Sequence, residues 1–243
     1  MKAIVRLVGA IFLFGLSTAA TTAAAWQSPS PAQSTQTPIP APVRLEPSSQ
    51  ALAQAITEAQ PAARTSLGDM RRAGVPGRYR LLGFKSPDEA KSGVLGQPMA
   101  VFYVPLNQLQ NYAGGDPQAL LQGGNEILYP VTIGTEVRSS ITVRNLNGKW
   151  QTTQLGRPIL ARTLFGIRDN DAAKLNSPTS SYFVVLVSAL NLRFIGHLQG
   201  TQFFLIPTRS DPTLNLRAGV AYLAQGVFSE LVPVAKANNG QPT

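Results

Sequence analysis

Residues 126–156 read EILYPVTIGTEVRSSITVRNLNGKWQTTQLG. Two turn signals, Gly134 with Thr135 and Asn147 with Gly148, separate runs that alternate apolar and polar residues. Short turns between alternating runs specify antiparallel hairpins, so the stretch predicts a three-strand meander. In the middle strand Val137, Ser139, Ile141 and Val143 take one face, and Arg138, Ser140, Thr142 and Arg144 the other. That division predicts a half-buried sheet with one wet face.

Working outward, RPILARTLFGIRDN (157–170) predicts a helix with Pro158 at its first position and a stripe of Ile159, Leu160, Leu164 and Ile167. SSYFVVLVSALNLRFIGHLQGTQFFLIPTR (180–209) predicts a second three-strand region. NLRAGVAYLAQGVFSELV (215–232) follows, with Leu216, Val220, Leu223, Val227 and Leu231 at helical spacing. On the N-terminal side, PMAVFYVPL (98–106) has the length and residue types of a buried strand. Asp116 and Pro117 open a short helical turn that Gly123 and Gly124 would end, and Ser86 to Glu89 form a capping box. A short helix is expected after Ser48 and Ser49, carrying Leu52 and Ile56.

The expected class is therefore α+β: antiparallel β-meanders packed with helices on one side. AVFYVPL and FVVLVSAL echo each other, as do ILYPV and FFLIP. One domain covering 51–243 is the expectation, with a division into two similar halves, 51–156 and 157–236, as an option these echoes raise.

The first residues have the layout of a cleaved secretory signal over 1–25. Lys2 and Arg6 precede the apolar run Leu7 to Leu16, and Ala23 and Ala25 sit before Trp26. Residues 26–50 are rich in Pro, Ser and Gln, the composition of an extended linker. Export to the periplasm or another extracytoplasmic space of a bacterium is the expectation, with no transmembrane segment after cleavage. The chain has no cysteine, so stability must come from packing, and 44% hydrophobic residues supply enough for a core. Losing Lys2 and Arg6 with the leader leaves 19 basic against 12 acidic residues, a balance of +7 that favours anionic partners.

Known catalytic patterns are missing from this sequence. There is no G-x-S-x-G elbow, no phosphate-binding glycine loop, and one histidine, His197. Strand alternation puts His197 with Arg193 and Ile195, on the more polar face of a sheet. Asp169 and Asp171 in RDND read as the polar end of the preceding helix, because the glycine and glutamate of a calcium loop are absent. Asp88, Glu89, Asp116, Glu126, Glu136 and Glu230 are the carboxylates that a glycan-cleaving pair would draw on. The expectation is no catalytic residue, no cofactor and no metal.

The binding candidate is the basic stretch Arg64, Arg71, Arg72, Arg78, Tyr79, Arg80 and Lys85, with Arg78 and Arg80 on one face of a strand. Guanidinium groups make bidentate contacts to carboxylate and phosphate, so the expected partner is a protein or an anionic envelope component. Lipid head groups and acidic glycans both fit that description, whereas export disfavours nucleic acid. GFKSPDEAK (83–91) followed by AVFYVPLNQLQNY (100–112) is similar to the translocon-associated proteins of the chloroplast intermembrane space and their periplasmic bacterial relatives. That resemblance implies tandem α+β halves and a chaperone-like role. The sequence thus points to an exported, non-catalytic binding or chaperone-like protein. An envelope hydrolase using carboxylates and a structural envelope component are the alternatives, and the oligomeric state is open.

Overall fold

The computed structural model describes residues 50–72 and 78–238, all within one compact unit. The expectations for 1–25 and 26–49 lie outside the described residues, and Gln50 already begins the first helix. The chain is α+β. The first meander contains β1 (Val94–Leu95), β2 (Met99–Tyr103), β3 (Gln122–Ile133), β4 (Glu136–Leu146) and β5 (Lys149–Gly156). The second contains β6 (Tyr182–Val187), β7 (Leu192–Gln199), β8 (Gln202–Pro207) and β9 (Tyr222–Leu223). Together the described strands form a single nine-stranded sheet, ordered β5-β4-β3-β2-β6-β7-β8-β9, with β1 paired to β3. Every pairing is antiparallel except the central one, where β2 and β6 run parallel through Val101–Val184. The two meanders meet along that pair.

The helices are α1 (Gln50–Arg72), α2 (Pro87–Ser92), α3 (Leu106–Gln110), α4 (Pro158–Leu175) and α5 (Ala224–Ala237). They cover both faces of the sheet, which corrects the expectation of helices on one side. Phe102, Ile127, Ile141, Val185 and Phe203 pack with buried residues of α1 and α5. Their strand neighbours Met99, Val101, Leu128, Val184 and Ile195 pack beneath α4, against Leu164 and Phe165. The expected wet face of β4 is corrected with it. Ser140 and Thr142 are buried, and the Ser140 hydroxyl donates to the Gly156 carbonyl at 2.7 Å.

α1 is longer than its sequence suggests. It runs through Pro61 because Leu52, Ala55, Ala59, Ala63, Leu67 and Met70 make one buried stripe along it. Small alanines let the helix lie close to the sheet, where the Tyr129 hydroxyl donates to the Ile56 carbonyl at 2.7 Å. Tertiary packing here overrides an interior proline. The last helix is shorter than expected. Asn215 and Gly219 take positive φ values of 52° and 74°, so α5 begins only at Ala224.

Candidate binding cleft

A cleft of about 760 Å³ opens where the first turns of α1 cross the ends of β2 to β5. Its walls include Gln54 and Glu58 of α1, Tyr103 of β2, Gly123 and Gly124 of β3, Arg144 of β4 and Trp150 of β5. The glycines shape it. Gly123 and Gly124 do not end the preceding helical turn but enter β3 at a bulge against β2. Gly123 has φ of 152°, and a Cβ there would stand 2.5 Å from the Val101 carbonyl oxygen. Only glycine lets the two backbones approach so closely.

The floor of the cleft is a polar network. Glu126 and Arg144 are register partners across the β3–β4 hairpin. Arg144 Nε donates to Glu126 Oε2 at 2.9 Å, and the Tyr103 hydroxyl donates to the same oxygen at 2.7 Å. Burial, reinforced by the Glu126 carboxylate, pushes the Tyr103 hydroxyl up to about 12. The hydrogen bond that Arg144 donates to Glu126 likewise raises Arg144. At the rim Trp150 Nε1 donates to Glu58 at 3.3 Å, and Gln54 donates to its other oxygen at 2.8 Å. Glu126 is thus neutralised by a guanidinium and Glu58 is held by two neutral donors. An aromatic, hydrogen-bonding wall of this kind orients a ligand.

Beside the cleft, β5 is an edge strand. Among the described residues it pairs with β4 alone, over Ser140–Gly156 to Leu146–Lys149. Its eight residues carry one charge, Lys149, and alternate between exposed and half-buried. At the opposite edge β9 has two residues.

The basic stretch divides between a helix and a turn. Arg64, Arg71 and Arg72 lie on α1, and all are exposed. Arg71 donates to the Gly93 carbonyl at 2.7 Å, while Arg72 is paired with Asp69. The strand expected at Arg78 to Leu81 is instead a turn, closed by Gly83 N–H to Arg80 O and Phe84 N–H to Tyr79 O, both 3.0 Å. Buried Phe84 anchors that turn. Arg78, Arg80 and Lys85 are exposed, and Arg80 lies over the half-buried Tyr79 ring at 5.7 Å.

His197 corrects a second expectation. Its strand face is as predicted, but the face is covered by α4, leaving the residue 2% exposed. The imidazole stacks on Phe204 at 5.3 Å, and burial lowers its proton affinity despite the nearby Asp171. Asp171 is not the polar end of a helix. It is buried on α4 and accepts a 3.0 Å hydrogen bond from the Tyr182 hydroxyl. Among the described residues no three histidine, cysteine or acidic side chains cluster as a metal site, and no helix is long and apolar enough to cross a membrane.

No protein-family model matches this chain, and neither a curated protein nor a solved structure matches it.

Proposed function

We propose that this is an exported, non-catalytic, chaperone-like binding protein that holds extended polypeptide segments. The edge strand β5, running into the aromatic cleft, carries the reading. An extended peptide can add to such an edge through main-chain hydrogen bonds, and the side chains at its end then meet Trp150, Tyr103 and Arg144. Strand addition selects backbone over sequence, which suits a carrier of varied clients. Long uncovered edges are aggregation hazards that folded proteins normally blunt, so an eight-residue edge with a single charge favours use over neglect.

Anisotropy of a labelled, permanently unfolded polypeptide such as carboxymethylated α-lactalbumin tests this. The chain is expected to bind it, and Thr153→Pro together with Trp150→Ala to weaken binding about tenfold or more. Thr153 faces no β4 partner in the register, so a proline there interferes little with the existing ladder. Binding that ignores both substitutions would remove β5 from the account.

A further inference from the structure

A second surface lies at the corner where β5 ends and α4 begins, away from the cleft, which borders the other ends of β4 and β5. Leu81 and Ile159 are 77% and 74% exposed, well beyond any other large apolar side chain among the described residues. They project from segments in contact. A Cβ on Gly156 would sit 3.6 Å from the Leu81 carbonyl oxygen, and Gly83 lies against Pro158. Next to Ile159, an open groove of about 520 Å³ is lined by Arg157, Pro158, Leu160, Thr163, Arg193 and Thr208.

Arginines surround this apolar pair. Arg157 and Arg193 line the groove, and Arg209, next in chain to Thr208, donates to the Asn191 carbonyl at 3.0 Å. Arg193 is held low by burial first, then by the like charges of Arg157 and Arg209. Arg78 and Arg80 flank the corner on the turn that carries Leu81. The acidic groups nearby are mostly engaged: Glu89 and Glu136 pair with Arg138, and Asp211 lies near Arg209. Arg157 also holds a left-handed backbone, φ 55° and ψ 54°, a conformation that strains a non-glycine residue. Gathered positive charge, unscreened apolar tips and local strain at one corner each have a cost, and a single anionic partner would relieve the first two.

We propose that this corner docks the protein on an anionic lipid surface, with phosphate head groups between Arg157, Arg193 and Arg209, and Leu81 and Ile159 in the acyl boundary. A bilayer supplies both halves of the complement: negative charge attracts each arginine near the surface, and the acyl edge takes the protruding side chains. The proposal does not rest on the polypeptide reading, because it uses other residues at another place.

The test is co-sedimentation of the full chain with vesicles of phosphatidylglycerol and phosphatidylcholine, against phosphatidylcholine alone. Binding to the anionic vesicles is expected, falling as salt rises. Arg157→Glu with Arg209→Glu should weaken it about tenfold or more. Leu81→Ser with Ile159→Ser should also weaken it by about tenfold. The second pair alters only exposed side chains, so it decides the matter if the charge variant misfolds. Lys174→Glu with Lys236→Glu removes the same charge at exposed positions elsewhere and should change binding little. No binding by the unaltered chain would overturn the proposal. So would an equal loss in the Lys174/Lys236 variant, or full binding without Leu81 and Ile159.

Discussion

His197 Nε2 lies 3.4 Å from Asp171 Oδ2 beneath α4, and both residues are buried. Among the described residues Nε2 has no hydrogen-bonding partner, since Asp171 is turned to the Tyr182 hydroxyl. Desolvation is the largest influence on His197 and holds it below its usual value of 6.5.

That arrangement makes stability pH-dependent. The unfolded chain binds the histidine proton near pH 6.5, whereas the folded chain resists it to lower pH. His197 therefore contributes stability that is present above 6.5 and is lost as pH falls through the folded value. One such group gives a slope of at most about 1.4 kcal/mol per pH unit. Asp88, Glu89 and Asp211 are lowered from values of 3.8, 4.5 and 3.8, so they titrate below this window. Urea denaturation between about pH 7 and pH 5 should show the slope, and His197→Phe should abolish it. An unchanged slope in the variant would assign it to another group.

Arg144 and Glu126 should be unequal when mutated. Arg144→Ala leaves a carboxylate whose side chain is 11% exposed without its cation, at a cost of about 1–3 kcal/mol. Glu126→Gln keeps the shape and removes the charge, so its cost should be smaller. In that variant Tyr103 should ionise at a lower pH while staying above 10, because burial remains its largest influence. Spectrophotometric titration, with Tyr103→Phe as reference, measures this.

Gly123→Ala should be among the costliest single-methyl changes in the chain. Its Cβ would meet the Val101 carbonyl and the Phe102 Cα, both backbone atoms that cannot rotate away. A loss of about 2–4 kcal/mol, with weakened polypeptide binding, is expected from thermal melts and anisotropy.

Pro61→Ala should act in the opposite direction. Pro61 is exposed inside α1 and lacks the N–H that an α-helix would use there. Alanine restores the donor and should stabilise the fold by about 1–3 kcal/mol, read as a raised Tm.

The first meander was legible because its two tight turns and strict alternation fix register together. The pairing of Glu126 with Arg144 was not legible, since straight counting from the Gly134 turn sets Glu126 opposite Val143 and only the register shift between Val131 and Thr132 brings Arg144 there. Trp150 sits beside the second turn and gave no signal of a cleft, because α1, which forms the far wall, was read as short. Alternation also set the face of His197 correctly but carried no information on what covers that face. The cover is α4, and the same omission made Ser140 and Thr142 look wet. Arg157, Arg193 and Arg209 are 16 or more positions apart in sequence, so only the fold brings them to one corner. The pairing of β2 with β6 is likewise non-local, joining Val101 to Val184.

Amide hydrogen exchange on the full chain, with and without carboxymethylated α-lactalbumin, tests the central claim most directly. The account predicts new protection concentrated in residues 149–156 and around Gly123 and Gly124, with the α4 face unchanged. Binding that leaves 149–156 exchanging as before, or that protects only a distant surface, would contradict strand addition at β5.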